Sequence, residues 1–227
     1  MIQIAGVRNI DDLKVILEAG VELIGFPMRL GYHRPDTSEE VAAALIRSIP
    51  YNIKAVLITY LFEAEEIVNL ARQLNAKVIQ LHGAISISEI QKIKILEPGI
   101  SIIKSLIVKE NNLEELTLEL KLFSSWVDYF ITDTFDAKTG ATGATGRTHD
   151  WNISRRIVDL SKRPVILAGG LNPSNIAEAI QFVKPAGVDV HTGVENSKGQ
   201  KDPVLVQEFV RRSRSAFKAS GRLSLTL

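Results

Sequence analysis

Short apolar runs of four to seven residues alternate along the whole chain with longer segments whose apolar positions recur every three to four residues. The short runs are Ile2 to Ala5, Glu22 to Phe26, Lys54 to Thr59, Lys77 to Leu81, Ser101 to Ile107, Tyr129 to Asp133, Val165 to Ala168 and Val188 to Thr192. They are continuous rather than alternating in character, as expected of strands covered on both faces. Helices are predicted over Asp11 to Ala19, ended by Gly20; over Glu39 to Ser48, capped by Ser38; and over Ala64 to Leu74. Further helical patterns run over 87–97, 113–125, 151–161, 174–184 and 203–218. Eight strands, each followed by a helix and with no second block of either, predict an α/β fold: a single (β/α)8 TIM barrel over residues 1–227. An open doubly wound sheet is the alternative, since periodicity does not report closure.

Composition narrows the partners. Twenty-seven basic residues stand against twenty-six acidic ones, a formal charge of +1, so no overall field draws in nucleic acid or an anionic membrane, and any anion needs a local site. The chain has no cysteine, which removes disulfides, thiolate metal sites and a thiol nucleophile together. No stretch approaches the roughly 20 apolar residues of a membrane span, so a cytoplasmic location is expected. There is no HExxH, no Walker A pattern and no GxGxxG after the first strand, so neither a metal nor a nucleotide cofactor is expected.

The candidate chemistry gathers at strand ends, where barrels build their sites. After the seventh strand comes Leu167 to Pro173, LAGGLNP, in which Gly169 and Gly170 let backbone N–H groups approach a phosphate ahead of a helix expected to start near Pro173. After the eighth comes HTGVE, with Thr192 and Gly193, and two glycine sites at adjacent strand ends favour a phosphate cradle over simple tight turns. Asp133 closes the sixth strand and can transfer a proton or bind a hydroxyl; the plain alternative is a loop cap. Asp189 lies inside an apolar strand, so it needs a partner or must face the site. His82 ends the fourth strand, as a catalytic or a hydrogen-bonded structural residue. Arg34 follows the second strand and can grip a carboxylate; most loop arginines are simply solvated. Lys104 lies within the fifth strand, its ammonium expected at the barrel mouth or in solvent. Thr139 to Gly146 reads TGATGATG, a glycine-rich loop suited to covering a ligand.

Taken together, these motifs resemble the phosphoribosylanthranilate isomerase family, barrel enzymes of tryptophan biosynthesis. The family's VQLHG corresponds to Ile79 to Gly83, its LLDT to Ile131 to Thr134, and its GGTGxxFDW to Gly143 to Trp151. LAGGLNP is unchanged, VDVSSGVE corresponds to Val188 to Glu195, and GxKD to Gly199 to Asp202. The resemblance implies an Amadori rearrangement of a small phosphorylated sugar derivative without cofactor, by a monomer or a homodimer. It implies Asp133 as general acid, Arg34 on the anthranilate carboxylate, Asp189 and His82 against the substrate, and Gly169, Gly170, Thr192 and Gly193 on the phosphate. The family opens with KxCG, whose cysteine is the general base; this chain has Gln3 for the lysine and Ala5 for the cysteine. His191 stands where the family has a small serine, as a candidate substitute base, an added anion contact or a group that narrows the pocket. The alternatives are a catalytically silent paralogue that binds a phosphosugar, and an isomerase of a different sugar phosphate.

Overall fold

The computed structural model describes residues 1–31, 35–134 and 150–221, and in it eight parallel strands close into a barrel in the order β1 to β8. The strands are β1 (Ile2–Ala5), β2 (Leu23–Met28), β3 (Lys54–Thr59), β4 (Val78–Leu81), β5 (Ser101–Val108), β6 (Tyr129–Thr134), β7 (Val165–Leu167) and β8 (Gly187–Val190). The helices are α1 (Ile10–Ala19), α2 (Glu39–Arg47), α3 (Ala64–Leu74), α4 (Ile87–Leu96), α5 (Leu113–Phe123), α6 (Trp151–Leu160), α7 (Ile176–Val183) and α8 (Pro203–Ala219). Closure, which periodicity left open, is made by β1 pairing with β8. Arg34 and the Thr139 to Gly146 repeat lie outside the described residues. Among the described residues no helix is long and apolar enough to cross a membrane.

Local signals account for most boundaries. Gly20 adopts the left-handed conformation that ends α1, with φ of 75°, and the Ser38 side chain accepts from the Val41 N–H to start α2. Three boundaries at the C-terminal rim of the barrel shift by two residues from expectation. β2 runs on through Pro27 to Met28, where a missing N–H on one edge does not stop the register against β3. α7 starts at Ile176, because the Asn172 side chain accepts from the Ser174 N–H and the Asn175 side chain from the Asn172 N–H, spending a turn on side-chain bonds. β8 stops at Val190, and Thr192 lies in a short 3-10 turn, Thr192–Val194, rather than in the strand.

Side chains alternate across each strand, so positions two apart share the barrel interior. The lower interior is apolar: Met1, Leu23, Val56, Val78, Ile103, Ile131 and Ile166 form a cluster separate from the larger core between strands and helices. One layer up, the inward positions turn polar with Gln3, Gln80, Ser105 and Asp189, and the next brings Ala5, His82, Asp133 and His191. Lys104 faces the other way. Instead of reaching the mouth or solvent it is buried against the helix layer, its Nζ donating to the Ser105 carbonyl at 2.8 Å and lying 5.9 Å from the centre of the Phe123 ring. It takes no part in the site.

Candidate active site

The barrel mouth holds a cavity of about 420 Å³, and of the sequence candidates Ala5, His82, Asp133, Gly169, Gly170, Asp189, His191, Thr192 and Gly193 all line it. Asp133 is the next-to-last residue of β6, with 8% of its surface exposed. Its Oδ1 accepts from the Thr134 N–H at 2.8 Å, the cap-like contact, while Oδ2 lies 4.0 Å from His82 Nδ1. Burial pushes the carboxyl up to about 6 against the pull of that Thr134 bond, so near neutrality it can still hold a proton to give.

The same shift makes a stability prediction. The folded-state value exceeds the ordinary value of 3.8, so the Asp133 carboxyl favours the folded state fully below that value and loses its contribution as pH rises through about 6. Asp133→Asn removes this penalty. The variant is expected to be more stable than the parent above pH 7 by up to about 3 kcal/mol, relative to the difference measured below pH 4. Urea unfolding at the two pH values checks it, and a pH-independent difference counts against a buried, proton-holding Asp133.

Asp189 stands on β8 directly across from Gln3 in the β1–β8 register, and faces the cavity. Burial pushes its carboxyl up to about 7, the negative charge of Asp133 adds to the rise, and Gln3 and Lys201 oppose it. Gln3 is itself fully buried and begins a chain of polar contacts across the barrel floor. Its Nε2 donates to Gln80 Oε1 at 3.0 Å, Gln80 Nε2 donates to Ser105 Oγ at 3.4 Å, and Ser105 Oγ meets His82 Nδ1 at 3.1 Å. His82 therefore has both a structural partner and a place on the cavity wall. Tyr60 packs beside it, ring centres 4.6 Å apart.

The seam between β1 and β8 carries the departures from the family pattern. The register pairs Gln3 with Asp189 and Ile4 with Val190, so the next inward residues, Ala5 and His191, come level at the mouth. Next to Ala5, Gly6 has φ of 81°, and a Cβ placed on it would lie 2.0 Å from His191 Nε2. The imidazole thus rests on the backbone just beyond Ala5. His191 Nε2 is 3.6 Å from Asp36 Oδ1 and 3.5 Å from Glu195 Oε1. Lys201, with no side-chain exposure, holds this arrangement: its Nζ donates to Glu195 Oε1 at 2.8 Å and to the His191 carbonyl at 2.9 Å. Burial works to raise Asp36, but its contact with His191, aided by Lys201 and Arg8, outweighs that and leaves the carboxyl below its ordinary range.

Asp36 and Arg8 were not candidates in the sequence, and Glu195 and Lys201 appeared only as motif letters. Asp36 sits in a loop without periodicity, so no local pattern singles it out. Among the described residues, no three such side chains are arranged to hold a metal ion.

Gly169 and Gly170, with φ of 94° and 64°, both occupy the left-handed region that favours glycine, which turns the loop after β7 back toward the cavity. Gly193 is a glycine for a different reason: a Cβ there would stand 1.9 Å from the Leu171 carbonyl oxygen. The loops after β7 and β8 therefore touch, forming one wall of the cavity. Gly193→Ala is expected to destabilise the protein by about 1–3 kcal/mol, read in thermal unfolding, because the obstacle is backbone rather than a movable side chain.

A closed parallel barrel with buried carboxyls on the inner wall of its mouth and a glycine-built wall after strands seven and eight has the layout of a barrel enzyme acting on a small phosphorylated ligand. The particular family follows from comparison with known proteins. The family model for N-(5'phosphoribosyl)anthranilate (PRA) isomerase matches residues 2–212. The chain is 37% identical to N-(5'-phosphoribosyl)anthranilate isomerase 2 of Methanosarcina mazei, over 99% of this chain and 98% of that protein. It is 36% identical to the corresponding isomerase of Methanothrix thermoacetophila, over 94% and 98%. The structure of the isomerase from Pyrococcus furiosus superposes with a TM-score of 0.77 at 29% identity, covering 95% of this chain and 98% of that one. An isomerase in complex with reduced 1-(o-carboxyphenylamino)-1-deoxyribulose 5-phosphate gives 0.76 at 27% identity, covering 94% and 98%. This chain belongs to the phosphoribosylanthranilate isomerase family.

Proposed function

We propose that the chain isomerises phosphoribosylanthranilate by proton transfer between two groups, with Asp133 as the acid and His191 as the base that takes over from the absent cysteine. Asp133 gives its proton to the furanose ring oxygen as the bond from that oxygen to C1 breaks, leaving a protonated Schiff base between C1 and the anthranilate nitrogen. His191 takes the proton from C2, the C2–H electron pair becomes the C1=C2 double bond, and the C=N pair moves onto the protonated nitrogen to give a neutral enaminol. Tautomerisation places a proton on C1 and leaves the ketone at C2. The Schiff base is itself the electron sink, so no cofactor enters.

The observation that carries this reading is the position of the imidazole, which rests on Gly6 beside Ala5 and is level with it across the seam. A proton acceptor just past the end of β8 thereby replaces one on β1 within the same layer. Asp36 and Glu195 both face Nε2, so a proton held there leaves the Nδ1 lone pair as the basic atom. Among the described residues Nδ1 has no hydrogen-bond partner.

In this reading Gly169, Gly170, Thr192 and Gly193 receive the phosphate, His82 and Asp189 contact the sugar, and Arg34 meets the anthranilate carboxylate. The reduced product analogue bound by the structural relative is the probe for this half of the assignment. It is expected to bind in calorimetry, with inorganic phosphate competing, and Gly170→Ala is expected to weaken it on the order of tenfold through backbone strain at positive φ. Absence of binding to the unaltered protein would overturn the substrate assignment. The second reading, a phosphosugar binder without chemistry, rests on Ala5, which cannot accept a proton; it is separated from the first by turnover.

A further inference from the structure

We propose that Asp189 meets the substrate as a neutral carboxylic acid, a hydrogen-bond donor on the cavity wall, and that Gln3, a neutral amide in place of a cation, permits this. The inference deepens the proposed function, since the acceptor it supplies is an oxygen of the sugar.

Three observations converge on it. The first is the partner: the residue level with Asp189 on β1 is Gln3, a neutral amide where a cation would hold the carboxylate in its charged form. Second, two acceptor oxygens are stranded. Asp189 Oδ1 and Gln3 Oε1 are both buried and, among the described residues, lack any hydrogen-bond partner. An ionised Asp189 has only acceptors to offer, whereas a proton turns one stranded acceptor into a donor and removes the cost of an unpaired buried charge. The third is the polar chain. Gln3 Nε2 donates to Gln80, whose own amide donates to Ser105, so the amide that also faces Asp189 is shared with this chain and brings no charge to the carboxyl.

The surrounding charges agree. Asp133 faces Asp189 from β6 and opposes a second negative charge in the cavity, while β7 presents Ala168, which is apolar. Lys201 is the cation on this side, but its ammonium is already engaged by Glu195 and the His191 carbonyl. His82 is linked to Gln3 through Gln80 and Ser105, and His191 is turned toward Asp36 and Glu195. The raised carboxyl described above is the expected consequence.

The direct test is infrared spectroscopy of the unaltered protein at pH 6. The carbonyl band of a protonated carboxylic acid is expected, with the part that disappears in Asp189→Asn belonging to this residue. Spectra that Asp189→Asn leaves unchanged would overturn the proposal whatever the protein turns over. Kinetics supply the second readout. Asparagine is also a neutral donor but does not titrate, so Asp189→Asn is expected to remove one of two proton dependences from the alkaline limb of kcat/KM for phosphoribosylanthranilate. Gln3→Lys draws Asp189 into the carboxylate and is expected to lower kcat/KM at least about tenfold at pH 6. The reverse pattern, an inactive Asp189→Asn that still binds the reduced product analogue beside a fully active Gln3→Lys, would mean that the substrate needs a charged Asp189.

Discussion

Replacing Asp133 by asparagine is expected to lower kcat for phosphoribosylanthranilate by about 10²–10⁴, with KM little changed, because a positioned acid acts on the transition state more than on the bound ground state. Asparagine keeps the size of the side chain and its place at the end of β6 but has no proton to give. The variant's rate should also lack one pH dependence that the parent shows. In the parent the acid form of Asp133 falls away as pH rises through about 6, so kcat/KM declines on that side. In Asp133→Asn that dependence is gone. Steady-state rates from pH 5 to 9 check both parts, and a variant that keeps the parent's rate would place the acid elsewhere. Opposed effects on rate and stability give the test its strength: the same substitution is expected to cripple turnover while making the fold more stable above pH 7.

The second large effect concerns His191. His191→Gln removes the proposed base and is expected to cost about 10²–10⁴ in kcat while leaving the reduced product analogue bound. The seam geometry adds a sharper expectation. If the base has moved one strand, from β1 to β8, then it can be moved back: Ala5→Cys combined with His191→Ser recreates the family's pair at the level where the two strands meet. This double variant is expected to recover most of the activity lost in His191→Ser alone. Ala5→Cys by itself places a thiol beside the imidazole, and its effect is the smaller one. Failure of the double variant together with full activity of His191→Gln would assign the proton transfer to neither residue.

How far the sequence reached differs from element to element. The strands were legible because β strands buried on both faces are continuous apolar runs, and α3 was read to the residue because its apolar spacing and ends agree. The ends of β8 and α7 were misread because side-chain turns at Asn172 and Asn175 and the close passage of Gly193 over Leu171 decide them, and these depend on tertiary neighbours. Asp133, His82 and Asp189 were found because each is a polar residue at or inside an apolar run, which demands a reason. The polar chain was out of reach: Gln3 and Gln80 are 77 residues apart, and neither is unusual in its own segment. So was Asp36, which acquires meaning only when its loop meets the end of β8. Lys104 shows the reverse error. A charged residue inside a strand reads as reaching the barrel mouth or solvent, yet alternation puts it on the outer face, where backbone carbonyls and the Phe123 ring receive it.

The departures at positions 3, 5 and 191 form one pattern when read on the structure, since all three lie on the same seam and all three concern where protons are held. Loss of the cysteine alone would disable the family mechanism; in the proposed function, loss of the cysteine together with a new imidazole at the same level relocates it. Asp36, Glu195 and Lys201 give that imidazole a fixed setting, which a residue serving only to narrow the pocket would not need.

The measurement that bears most directly on this account is turnover of freshly generated phosphoribosylanthranilate by the unaltered chain, followed through loss of the substrate's fluorescence and appearance of the aminodeoxyribulose phosphate. The account predicts multiple turnovers per protein molecule in the complete absence of a cysteine. Tight binding of the reduced product analogue with no conversion beyond the uncatalysed rate would contradict it, and would leave the chain a binder built on an isomerase scaffold.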